Sequence, residues 1–150
     1  MKLTVTTPLA VIVDLDGVAH LRGEDETGAF GILPGHADFL TALTVSVVTW
    51  RDAQGAEHHL AVRRGMLSVR QGRTITIATR EAIADDDLHR LRTEVLASFN
   101  RRSEEERTAR ADAQRLYLAA LRQIFRYLSP ERASVLPSGS GVPQLEGRSQ

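Results

Sequence analysis

Apolar positions along the chain follow two different periods. Leu43-Thr44-Val45-Ser46-Val47, His59-Leu60-Ala61-Val62-Arg63 and Thr74-Ile75-Thr76-Ile77 place branched apolar residues at every second position, the pattern of strands buried on one face. Turn signals separate such runs. Asp16-Gly17 stands between Leu9–Leu15 and Val18–Arg22 and reads as a hairpin turn, Asp52–Gly55 follows Trp50, and Gln71-Gly72 divides Leu67-Ser68-Val69 from Thr74. Short strands with Gly-rich turns and no helical period between them predict a β-sandwich or barrel, about eight to ten strands in about 80 residues.

Near Ala84 the period changes. Leu88, Leu91, Val95 and Phe99 are spaced by three and four, the stripe of a short amphipathic helix, with Asp85 and Asp86 placed to cap it. Asn100-Arg101-Arg102 interrupts the stripe. Ser103-Glu104-Glu105-Glu106 then reads as a capping box in which Glu106 reaches back to the serine amide. Ala109, Ala113, Leu116, Ala120, Ile124 and Tyr127 form a second stripe, which Ser129-Pro130 ends. The pattern predicts an α+β chain: an N-terminal β-sandwich of about ten strands (residues 1–84) followed by a C-terminal antiparallel two-helix hairpin (85–128). Alanine in the stripes buries little area, so the hairpin is expected to dock weakly. Residues 129–150, with Pro137-Ser138-Gly139-Ser140-Gly141 among them, are expected to be a disordered tail.

Charge sharpens this division. The 19 basic and 19 acidic residues cancel, so nothing in the total favours nucleic acid or anionic lipid. Residues 1–84 carry 8 basic and 9 acidic groups, net minus one; residues 85–106 carry 4 and 7, net minus three; residues 107–128 carry 5 and 1, net plus four. Arg107, Arg110, Arg115, Arg122 and Arg126 therefore make the second helix basic. That face suits solvent or an acidic protein partner. With no cysteine there is no disulfide framework, thiol nucleophile or thiolate metal site. No signal segment and no run long enough to span a bilayer is recognisable, which predicts a chain without direct membrane insertion.

One stretch suggests catalysis. Ala10-Val11-Ile12-Val13-Asp14-Leu15-Asp16-Gly17-Val18 resembles the first motif of haloacid dehalogenase-like phosphatases, which would make Asp14 the nucleophile, Asp16 the acid/base and magnesium the counter-ion. Against it, Lys2 is the one lysine and lies upstream of the motif. No helical period separates Gly17 from Ala82, as the crossovers of a parallel sheet require. Metal binding has little support, because the adjacent His58 and His59 point to opposite faces of a strand and His20, His36 and His89 are scattered.

Gly28-Ala29-Phe30-Gly31-Ile32-Leu33-Pro34-Gly35-His36-Ala37-Asp38-Phe39-Leu40 reads as a strand leaving the sheet through a Pro-Gly turn that presents His36 at one end of the sandwich. A loop this apolar suggests a surface meant to be covered. Gly31-Ile32-Leu33-Pro34-Gly35-His36-Ala37, followed by Leu40-Thr41, resembles the signature of the epsilon subunit of rotary F-type ATP synthases. Leu60-Ala61-Val62, Gly65-Met66-Leu67-Ser68-Val69 and Thr74–Thr79 follow in the family's order, and the likeness extends over residues 1–128.

The resemblance implies a non-catalytic subunit of the central stalk with no cofactor. It implies a sandwich that binds the gamma subunit and the membrane ring of c subunits, with Phe30, Gly31, Leu33, Pro34, Gly35, His36 and Asp38 at the contact. It also implies a hairpin whose arginines meet acidic segments of the alpha and beta catalytic subunits and restrain ATP hydrolysis. The place implied is peripheral, on the cytoplasmic face of the bacterial inner membrane. Departures point to a divergent branch. Asp38-Phe39 stands where the family commonly has Pro-Leu, and Arg63-Arg64-Gly65 keeps one glycine of two. Of the ATP-binding motif of some members Asp87 and Arg90 remain while both flanking residues are lost, which leaves these two as weakly supported nucleotide-binding candidates.

Overall fold

The computed structural model describes residues 1–128; the expected tail lies outside them. Eight strands are formed: β1 (Lys2–Thr6), β2 (Val11–Leu15), β3 (His20–Asp25), β4 (Gly28–Ile32), β5 (Phe39–Arg51), β6 (Glu57–Arg70), β7 (Thr74–Thr79) and β8 (Ala82–Ala84). They pair in the order β2-β1-β7-β6-β5-β3-β4, and β8 joins β6. The two long strands build the sandwich. β6 pairs with β7 through Gly65–Arg70 and with β8 through Leu60–Val62.

The side chains show how β5 and β6 serve both layers. Inward residues of β6 are Leu60 and Val62 before residue 64 and Leu67 and Val69 after it, so the alternation changes phase there. Arg64 has φ 59° and Gly65 φ 155°, conformations that break a regular pleat. A Cβ on Gly65 would stand 2.4 Å from the Ala78 carbonyl oxygen, which explains why glycine is needed at this crossing. The enclosed core is apolar throughout, with Leu3, Val5, Leu21, Ile32, Leu60, Ile75 and Ile77 fully buried.

A second cluster lies on the outer face of β5 and β6. Ala61, Leu91 and Phe99 are buried there, with Val45, Val47, Val95 and Leu96 packed around them. The small Ala61 lets the helical segment approach closely, and the predicted Leu91–Phe99 stripe supplies its contact. This segment starts with α1 (Leu88–Arg90), continues through a π-helical turn (Leu91–Val95) and becomes α2 (Leu96–Leu128). Its cap is Asp87, one residue beyond the expected Asp85 and Asp86: the Asp87 side chain accepts the Arg90 amide, and Asp85 in turn accepts the Asp87 amide.

Three expectations need correction. Asp16-Gly17 is a turn, with Gly17 at φ +85°, but not a hairpin turn: β2 pairs with β1, whereas β3 pairs with β4 and β5. The chain crosses between layers there. The break at Asn100-Arg101-Arg102 does not form, and α2 continues through it. Ser103 is consequently inside the helix, and Glu106 is engaged elsewhere than in a capping box. The phosphatase reading also falls. Asp14 sits on an antiparallel strand where Lys2 holds it at 3.2 Å and Thr4 donates to it at 3.0 Å, and no helix intervenes between Gly17 and Ala82.

The chain divides after Thr108 into two compact units. In the second, Leu116, Tyr117, Ile124, Phe125 and Tyr127 are exposed. No described helix is long and apolar enough to cross a membrane.

Candidate functional site

The loop after β4 is built by two interlocked turns. Leu33-Pro34-Gly35-His36 closes through the His36 amide donating to the Leu33 carbonyl at 3.1 Å, with Gly35 at φ +83°. Proline supplies the fixed φ of such a turn and glycine the positive one. This turn rests on the Gln71-Gly72 turn between β6 and β7, where the Gly35 amide donates to the Gly72 carbonyl at 3.0 Å. The backbones touch: a Cβ on Gly72 would be 2.6 Å from the Gly35 Cα.

Side chains complete the clamp. Asp38 accepts the Gln71 amide at 2.6 Å. Phe39 makes edge contacts with Phe30 at 5.5 Å and with His36 at 5.7 Å between ring centroids. The His36 ring nitrogen Nδ1 is 2.7 Å from the Ala37 carbonyl. Asp38 and Phe39, the pair that departs from the family pattern, are thus the residues that fasten the loop. Phe30 lies over Gly23, where a Cβ would come within 2.9 Å of its ring. Gly31 leaves room for His20, 3.1 Å from the position its Cβ would take. The result is a fixed support displaying Leu33, 60% exposed, and the exposed Pro34. Sequence reasoning named Gln71-Gly72 only as a turn and missed it, Phe39 and His20 as supports. The left-handed conformation that Gly72 signals was the available clue.

Asp25 at the end of β3 accepts Thr27 Oγ1 at 2.6 Å, the Thr27 amide at 2.8 Å and Thr41 Oγ1 at 2.8 Å. The Thr27 hydroxyl foremost, then that of Thr41, holds its carboxyl below the ordinary aspartate value of 3.8.

The basic residues fall in two environments. Arg107 pairs with Glu104 at 2.7 Å, which raises the guanidinium pKa and lowers that of the carboxyl. Arg110 is exposed. In the second unit Arg115 pairs with Asp112 at 3.6 Å; Arg122 and Arg126 are exposed and have no ion pair among the described residues.

The nucleotide candidates are occupied internally. Asp87 caps the helix, and Arg90 pairs with Asp85 at 2.9 Å and Glu94 at 3.6 Å. Among the described residues no group of three His, Asp or Glu side chains could hold a metal ion.

Comparison with known proteins agrees with this architecture. Residues 1–85 match the family of the ATP synthase delta/epsilon chain beta-sandwich domain. The chain belongs to this family. It is 41% identical over 132 residues to ATP synthase epsilon chain 2 of Paraburkholderia xenovorans, covering 88% of this chain and 95% of that one. It is 39% identical over 128 residues to the protein of the same name from Cereibacter sphaeroides, covering 85% and 88%. Among solved structures, a chain of the Euglena gracilis mitochondrial ATP synthase OSCP/F1/c-ring assembly superposes with a TM-score of 0.54 at 22% identity, over 57% of this chain and 54% of that one. A chain of the Tetrahymena thermophila ATP synthase central stalk and c-ring gives 0.52 at 16% identity, over 63% and 71%. These two likenesses concern the fold. The first two extend over more residues than the sandwich domain alone.

Proposed function

We propose that this chain is the epsilon subunit of an F-type ATP synthase, a non-catalytic part of the rotor that couples the catalytic head to the membrane ring. The observation that carries this reading is the rigid display of Leu33 and Pro34 by two interlocked turns, in a chain whose relatives of matching length are named ATP synthase epsilon chain. A coupling part must transmit torque without yielding, and an apolar, pre-ordered turn loses little entropy on contact. On this reading Phe30, Gly31, Leu33, Pro34, Gly35, His36 and Asp38 form or support the face toward the c-ring, and the sandwich also holds gamma. The subunit is then peripheral, on the cytoplasmic face of the inner membrane.

The helical segment would restrain hydrolysis by setting Arg107, Arg110, Arg115, Arg122 and Arg126 against acidic segments of the alpha and beta subunits. Nucleotide control through Asp87 and Arg90 has no support, since both are committed to capping and to ion pairs.

Co-expression with the gamma subunit tests the reading. Stoichiometric co-purification is expected, and an intact chain that never associates with gamma would overturn it. Deleting residues 85–150 should raise ATP hydrolysis by the assembled head. Unchanged hydrolysis would remove the inhibitory role alone.

A further inference from the structure

The side of the sandwich between β2 and β8 is open. Among the described residues β2 has β1 as its one strand neighbour, and β8 pairs only with β6. Between them runs a cleft of about 470 Å³ whose walls include Ile12 and Leu15 on one side and Asp85 and Asp86 on the other, with Trp50 and His58 between. On β2, Val11 is 62% and Ile12 37% exposed. A free strand edge carrying apolar side chains is a template for another strand.

Two further observations describe what would fit. Trp50 is buried and stacks on His58 with ring centroids 5.4 Å apart, yet its indole N–H has no acceptor among the described residues. A buried donor without a partner is a cost that an acceptor brought by an occupant would relieve. The rim is acidic. Lys2 answers Asp14 and Arg90 answers Asp85, but Asp86 is exposed with no ion pair among the described residues.

We propose that this cleft receives an extended segment of another protein, added to the sheet along the free edge of β2. The segment sets an apolar side chain against Ile12, Leu15 and Trp50 and a lysine or arginine opposite Asp86. Main-chain hydrogen bonds to the edge give affinity, and the apolar and basic side chains give choice of partner. The surface differs from the Leu33–His36 turn and from the basic helix, and it stands whether or not the functions proposed for those are correct.

Trp50 is the one tryptophan of the chain, so its emission and its indole N–H resonance report on this cleft alone. The full chain is titrated with a short capped peptide of alternating arginine and valine. A saturable change in both signals is expected, together with slowed amide exchange within Val11–Leu15. The exposed substitution Asp86→Lys should weaken binding about fivefold to tenfold. A peptide of alternating glutamate and valine should give no response. The proposal is overturned by the absence of a saturable change, by equal response to the glutamate peptide, or by unchanged affinity in Asp86→Lys. Protection of β4 in place of β2 would also overturn it. So would a concentration-dependent dimer of the chain alone that protects Val11–Leu15, since the occupant would then be a second copy.

Discussion

Arg63 on β6 donates through Nη1 to Glu106 on α2 at 2.7 Å, tying the outer face of the sandwich to the helix by a charge that is itself 7% exposed. The pair is the centre of a chain of alternating charges. Glu106 also accepts Arg80 at 2.7 Å, while Arg63 reaches Glu81 at 3.3 Å and Glu81 accepts Arg102 at 2.9 Å. A buried guanidinium needs counter-charge. That need draws Glu106 across to the strand and away from the capping position its sequence context suggests.

Removing one partner should therefore cost more than removing the buried charge. Glu106→Gln leaves Arg63 with Glu81 alone and should destabilise the protein by about 1–2 kcal/mol. Arg63→Met leaves Glu106 and Glu81 partly exposed and still paired with Arg80 and Arg102, so its cost should be smaller. Urea unfolding of the two variants checks the order. If Arg63→Met is the more damaging, the network is valued for the arginine's packing and the electrostatic account fails.

Two glycines in the loop clamp should respond differently to alanine. At Gly35 a Cβ meets nothing within 4 Å, and the cost is that of φ +83°, about 1 kcal/mol. At Gly72 the φ of +61° is more tolerable, but a Cβ collides with the Gly35 backbone at 2.6–2.9 Å. Gly72→Ala should cost about 2–3 kcal/mol and displace the Leu33–His36 turn. Asp38→Ala, which frees the Gln71 amide, should loosen the same turn at about 1 kcal/mol. Chemical-shift changes at His36 alongside unfolding midpoints distinguish displacement of the turn from general destabilisation.

Acid should weaken the β-sandwich through three of its carboxylates. Asp25 is held low chiefly by the Thr27 hydroxyl, Asp52 chiefly by His58, and Asp14 chiefly by Thr4 with help from Lys2. A carboxyl whose folded pKa lies below its unfolded value adds stability that is present above the unfolded value and lost as pH falls through the folded one. Unfolding midpoints should accordingly drop below about pH 4. Asp25→Asn should reduce that drop, and an unchanged acid limb in this variant would sink the assignment.

The long strands in the middle of the chain were legible, and the pairings of the first strands were not. β5, β6 and β7 with the turns at Asp52–Gly55 and Gln71-Gly72 follow from alternation and turn chemistry. The Asp16-Gly17 hairpin did not form because β2 finds β1, and β1 in turn runs parallel to β7, a pairing no local pattern announces. The helix break at Asn100–Arg102 was a misreading of the same kind. Polar residues that interrupt an apolar stripe look like an end, but Arg102 and Glu106 face Glu81 and Arg63. Charge pairing continues the inward face where apolar contact stops. The site was partly visible: Leu33–His36 stood out, while its supports Phe39, Gly72 and His20 became recognisable only through contacts between strands.

The basic helix yields a graded prediction. Arg107 and Arg115 have carboxylates one turn away, Glu104 and Asp112, which satisfy part of their charge within the helix. Arg122 and Arg126 have none among the described residues, so their charge is the more available to an acidic partner. In the assembled complex, Arg122→Ala with Arg126→Ala should relieve inhibition of ATP hydrolysis more than Arg115→Ala. It should also reduce the dependence of that inhibition on ionic strength, since an exposed pair across an interface is screened by salt. Folding stability should change by under about 0.5 kcal/mol in either variant, because these side chains are exposed. Hydrolysis measured over a salt series on the reconstituted complex decides the matter. Inhibition that keeps its strength and salt slope in the double variant would mean that the positive face serves only solvation.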